Sequence, residues 1–138
     1  MEFHSVLMLL ASTVILLLGC VHLLYTFRGR KLLPRDAGLI EAMKTSTLVI
    51  TAETTVWKAW IGFNASHSMG AILFGLIFGY LSVANPSFLF GSVYLQTVGF
   101  ALLLGFFILG RMYWFKVPFV GITVSLVCYV ASIVLAHA

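Results

Sequence analysis

Residues 59–110 read AWIGFNASHSMGAILFGLIFGYLSVANPSFLFGSVYLQTVGFALLLGFFILG, and between Lys58 and Arg111 there is no Asp, Glu, Lys or Arg. A membrane-crossing helix needs about 20 predominantly apolar residues. This stretch is too long for one crossing. Asn85-Pro86-Ser87 divides it, because Asn and Pro favour turns and Pro disrupts a helix interior. The sequence therefore predicts one span over 59–84 and another over 88–110.

Two further spans lie outside this stretch. Residues 5–27 carry no charge, and residues 117–136 form the last apolar run. Pro118 suits a first helical turn, where its missing N–H costs nothing. The first twenty residues imitate a secretory signal, and Leu17-Leu18-Gly19-Cys20 resembles a lipoprotein cleavage box. No Lys or Arg precedes the apolar run, however, and the run continues past Cys20 to Phe27. The segment is therefore read as the first membrane helix.

Composition agrees with this reading. The 138 residues are 62% hydrophobic and 9% charged, with mean hydropathy +1.10, whereas soluble domains are roughly half apolar and a quarter charged. The expectation is an all-α fold: one membrane domain over 1–138, built as a four-helix transmembrane bundle. The net charge of +4 does not indicate nucleic acid, because the basic residues sit in short loops and form no continuous face. Cys20 and Cys128 both fall in apolar segments and are expected as buried, reduced thiols.

The basic residues orient the chain. Arg28, Arg30, Lys31, Arg35, Lys44 and Lys58 follow the first span, and Arg111 and Lys116 follow the third. The positive-inside rule places both loops in the cytoplasm and both termini on the periplasmic side of an inner membrane. Trp57, Trp60, Trp114 and Tyr113 belong to the same boundary, as amphipathic rings prefer. Within the longer loop, Asp36 can cap a short helix through about Ser46. Leu39, Ile40 and Met43 would share its apolar face, and it would lie amphipathically on the cytoplasmic surface. Thr51 is a candidate cap for the second span, with Glu53 in its first turn.

The densest chemistry is Trp57-Lys58-Ala59-Trp60-Ile61-Gly62-Phe63-Asn64-Ala65-Ser66-His67-Ser68-Met69-Gly70. At helical spacing Trp57, Trp60, Asn64 and His67 share a face. Gly62, Ser66 and Gly70 fall four apart on a neighbouring face, a spacing that Gly75 and Gly79 repeat, and small residues so placed let helix backbones approach. Polar side chains inside a bilayer are costly and usually face the protein interior. His22, near the cytoplasmic end of the first span, and His67 would both lie roughly 7 to 10 Å below the same surface at about 1.5 Å per residue. Paired histidines on facing helices can hold a haem, so His22 and His67 are the candidate ligands for a haem or pigment. Two His without a carboxylate are thin for zinc. The bland alternative is that Asn64 and His67 only bond to neighbouring helices. His4 and His137 are expected at the opposite surface, solvated or interfacial. Tyr94, Gln96, Thr123, Ser125, Tyr129 and Ser132 are scattered, and backbone or interhelix hydrogen bonding is their default. No paired carboxylates, Ser–His pair or phosphate loop supports a reaction.

The same fourteen residues resemble the W-K/R-A-W-x-G-F-N-x-S-H-S-x-G signature of an uncharacterised family of small four-helix bacterial membrane proteins. Gly19, His22, Leu23, Leu24, Tyr25 and Thr26 are similar too, as are Pro34-Arg35-Asp36 and Glu41-Ala42-Met43. The resemblance implies four helices and a bacterial source, and implies no activity. The chain does not resemble the four-helix membrane glutathione transferases or sterol isomerases.

The functional expectation is a protein that binds a small apolar or amphipathic ligand, or a partner subunit, near the cytoplasmic leaflet. Trp57, Trp60, Asn64, His67 and His22 would form the site, with Lys58 and Arg28 at its mouth. The rivals are an accessory subunit or homo-oligomer in a larger membrane complex, and a redox or pigment protein using His22 and His67.

Overall fold

The computed structural model describes residues 2–138. They form α1 (Phe3–Phe27), α2 (Ala37–Thr45), β1 (Thr47–Leu48), β2 (Thr51–Thr55), α3 (Val56–Ala84), α4 (Pro86–Gly91), α5 (Val93–Tyr113) and α6 (Lys116–Ala136). Four of these, α1, α3, α5 and α6, are long and apolar enough to cross a membrane. Between 22% and 39% of each span's apolar window is buried within the protein. Apolar side chains therefore cover the outside of these helices, as suits a multi-pass protein whose solvent is lipid.

The third span is not one unbroken helix from residue 88. Asn85 caps α4, its side chain accepting from the Phe88 N–H, with Pro86 in the first turn. Ser92 then ends α4 and caps α5, accepting from the Leu95 N–H. A buried glutamine completes the break. Gln96 Nε2 donates to Phe90 O at 2.7 Å and to Leu89 O at 3.4 Å, the latter also accepting from the Ser92 N–H, so the carbonyls at the end of α4 are satisfied.

One compact unit comprises α1 as far as Leu18 together with residues 71–138, and it holds the apolar core. Met8, Ala11 and Ile15 of α1 face Ala71, Phe74 and Phe78 of α3, Leu103 and Phe106 of α5, and Ile122 and Tyr129 of α6. Phe74 stacks on Phe78 at 4.5 Å, and Tyr129 packs against both. Polar groups tie α6 to its neighbours: Ser125 Oγ donates to Ala11 O (2.8 Å), Ser132 Oγ to His4 O (2.6 Å) and Tyr129 Oη to Gln96 O (2.9 Å). Thr123 bonds its own helix at Phe119 O. Without water, each such hydroxyl has only a protein carbonyl as partner.

Glycines set the close approaches in this unit. A Cβ on Gly75 would stand 2.6 Å from Leu16 Cβ and 2.8 Å from Ser12 O, and one on Gly79 would stand 3.4 Å from Ser12 Cβ. At Gly62 and Gly70 a Cβ would meet nothing within 4 Å, and Ser66 is exposed, bonding only Phe63 O of its own helix. Among the described residues, then, nothing packs against the expected seam at Gly62 and Gly70. The small-residue contact lies further along α3, where Gly75 meets Ser12 and Leu16 of α1.

The other unit, residues 19–70, contains the end of α1, the loop, α2, the hairpin and the start of α3. Asp36 caps α2 as expected, accepting from the Gly38 N–H, and the helix ends at Ser46. Ile40 and Met43 are half-buried and Leu39 is exposed. Thr51 is no helix cap. It lies in β2, paired with Leu48, and its hydroxyl accepts from the Glu53 N–H. The run of β-branched residues favours an extended strand there, and Thr55, beside α3, accepts from the Lys58 N–H instead. Both cysteines are free, but neither is fully buried as expected: Cys20 is exposed on α1 and Cys128 is half-buried on α6.

Candidate functional site

The sequence-predicted residues all fall in the 19–70 unit, and three of them meet. His22 Nε2 lies 2.9 Å from Asn64 Oδ1. The Asn64 amide nitrogen donates to Trp60 O at 2.8 Å, so its oxygen is the atom turned to His22, and the His22 Nε2 carries the proton. His67, one turn beyond Asn64 on α3, sets its ring edge-to-face with His22, centroids 5.5 Å apart and planes at 78°. The link from the first span therefore runs through Asn64, with His67 in ring contact beside it. All three side chains are half-buried.

Two residues left out of the expected site brace this cluster. Thr26 Oγ1 donates to His22 O (2.9 Å), and Ser68 Oγ donates to Asn64 O (2.8 Å). Thr26 and Ser68 are buried. Their signal was available: each lies four residues after a cluster member, the distance at which a Ser or Thr hydroxyl reaches back to its own helix.

The remaining candidates stand apart. Trp57 is half-buried and Trp60 is 37% exposed, contributing its carbonyl to the cluster. The Arg28 and Lys58 side chains are exposed and make no hydrogen bond or ion pair among the described residues. Lys31 is engaged by Tyr25, donating to its hydroxyl at 2.9 Å with the ammonium 4.5 Å from the ring centre. Lys44 pairs with Glu41.

The cluster does not fit a haem held by both histidines. Two axial imidazoles must aim one nitrogen each at a single iron, with the macrocycle between them. Rings in edge-to-face contact leave no plane between them, and His22 Nε2 is committed to Asn64. No group of three or more His, Cys, Asp or Glu able to hold a metal occurs among the described residues.

The other unit holds a cleft of about 550 Å³ lined by Glu2, His4, Ser5, Ser82, Val83, Pro86, Ser87, Phe90 and Ala136. His4, expected as solvated or interfacial, is half-buried. It pairs with Glu2 at 3.2 Å and packs edge-on against Phe90. His137 is exposed, with its Nε2 3.3 Å from Gln96 Oε1.

Comparison with protein-family models, with curated proteins and with solved structures finds no match to this chain.

Proposed function

We propose that this is a bacterial inner-membrane protein, with both termini in the periplasm, that binds an anionic amphiphile in its cytoplasmic leaflet. In this reading the polar part of the ligand meets His22, Asn64 and His67, its tail lies along Trp57 and Trp60, and its head faces Arg28 and Lys58. The helix α2 lies on the membrane surface beside it. The family likeness of the Trp57–Gly70 motif belongs to the same proposal.

The observation that carries the reading is the hydrogen bond between His22 and Asn64. Consecutive spans run in opposite directions, so this bond sets their register. Arg28 lies six residues beyond His22, and Lys58 six residues before Asn64. At about 1.5 Å per residue, both cations come out level, roughly 9 Å towards the same end. An apolar-walled polar group below two unpaired cations has the pattern of an acidic amphiphile.

The test uses 5-doxyl stearate, an anionic amphiphile carrying a quenching nitroxide, titrated into the protein in neutral detergent. Tryptophan fluorescence should fall saturably. Arg28→Gln with Lys58→Gln should weaken the effect about tenfold or more, since each cation contributes about 1 kcal/mol towards an anionic lipid surface. Linear quenching that is identical in the variant would sink the reading.

One observation favours a second reading, an accessory subunit or homo-oligomer. The open Gly62, Ser66 and Gly70 face leaves room for the backbone of another helix. Disulfide formation by Ser66→Cys in native membranes would support it, and a monomer throughout would count against it.

A further inference from the structure

Val49 and Ile50, at the turn of the β1–β2 hairpin, are the two most exposed large hydrophobics among the described residues, at 109% and 88%. Most other exposed large hydrophobics lie in the spans, where lipid is the solvent, and the exceptions Leu39, Phe88 and Phe115 are less exposed, at 49%, 57% and 67%. Here the exposure belongs to a hairpin between α2 and α3, outside every span. Turn chemistry does not explain it. A two-residue hairpin turn favours Gly, Asn or Asp, and this one has β-branched apolar residues instead, with no positive φ at either. A local rule broken without a structural return marks a position chosen for something else.

The surroundings say what. Residues 28–58 hold six basic against three acidic residues. Lys44 is the one Lys or Arg in an ion pair among the described residues. The hairpin also joins α3 without a linker, Thr55 being followed directly by Val56 and Trp57. Five strand residues reach about 17 Å, so the tip stays near the point where α3 meets the membrane.

We infer that Val49-Ile50 is a wedge that inserts into the headgroup layer of an anionic lipid surface, with the uncompensated cations of residues 28–58 holding the hairpin down on it. Apolar side chains gain by leaving water at the interface, and nearby Lys and Arg add attraction to acidic headgroups. The inference is independent of the amphiphile site at His22, Asn64 and His67.

The experiment uses the full chain in lipid nanodiscs, with Cys20→Ala and Cys128→Ala. Ile50→Cys carries an environment-sensitive fluorophore in one preparation, and Glu53→Cys carries it in a control. In discs containing phosphatidylglycerol, the Ile50 probe should emit to the blue of the control. Nitroxide at the fifth acyl carbon of the lipid should quench it, and aqueous iodide should quench it at least severalfold less than the control. In purely phosphatidylcholine discs the protection should fall. A tip as open to iodide as Glu53, and untouched by lipid nitroxide, would show that it stands in water, and the wedge would be wrong. Protection that is equal in both lipids would overturn the role of the cations.

Discussion

Gly75 lies against the backbone of Ser12, so closely that a Cβ would stand 2.8 Å from the Ser12 carbonyl oxygen and 2.6 Å from Leu16 Cβ. Backbone cannot swing aside as a flexible side chain can. Gly75→Leu should therefore destabilise the protein by on the order of 3 kcal/mol or more, at or above the usual cost of overpacking. Gly62→Leu and Gly70→Leu should leave the monomer's thermal stability in detergent unchanged, since nothing lies near either position. Comparable losses at all three positions would refute the assignment of the seam.

Gly75 also shows what could be read without a structure. Its spacing with Gly79 is visible in the sequence, and so is the same spacing at Gly62, Ser66 and Gly70. Spacing fixes a face of a helix but not which turns of that face meet a neighbour. That depends on where Phe74, Phe78 and Tyr129 fill the space between helices. Charge-free length and one Asn-Pro break made the four spans legible. The break at Ser92 was hidden, because a serine cap inside an apolar run differs little from a serine bonded to its own helix. The polar cluster was legible as a face, Asn64 with His67, and as a depth, His22. Which atom bonds which was not legible, because one turn of helical register separates Asn64 from His67.

Tyr129 is fully buried, its hydroxyl donating to Gln96 O while its ring packs on Phe74 and Phe78. Tyr129→Phe removes the hydrogen bond and keeps the ring, so the expected loss is about 0.5 to 1.5 kcal/mol. Tyr129→Ala also opens a cavity and should cost about 3 to 5 kcal/mol. Gly99→Ala should fall between them, because its methyl would press on the Tyr129 hydroxyl and the Phe78 ring. Thermal unfolding followed by tryptophan fluorescence gives the order, and Tyr129→Phe as costly as Tyr129→Ala would contradict it.

The His22–Asn64 bond can be weighed by a double-mutant cycle with His22→Leu and Asn64→Leu. Hydrogen bonds between membrane helices average about 0.6 kcal/mol with a maximum of about 1.7, and the coupling should lie in that range. Asn64→Ala should cost more than Asn64→Leu. It leaves the His22 Nε2–H unpartnered without filling the space the amide held. Zero coupling would mean that the two side chains do not meet in the folded protein.

The orientation rests on where the positive charge falls. All eight Lys and Arg lie in two stretches, 28–58 and 111–116. The first follows α1 (Phe3–Phe27), and the second separates α5 from α6. With four crossings these stretches would share a side, and in the proposed orientation the translocation bias against Lys and Arg keeps that side in the cytoplasm. Alkaline phosphatase, active only after export, should therefore be active when fused after Ala138 and inactive when inserted beside Lys44. A more demanding version moves the charge. Placing three lysines between Asn85 and Ser87 should weaken the bias and yield a measurable fraction of inverted molecules, because that connection now carries no Lys or Arg. Phosphatase activity at Lys44 with none at Ala138 in the unaltered chain would reverse the topology. It would also place the His22–Asn64 cluster and the Val49-Ile50 hairpin tip on the periplasmic side.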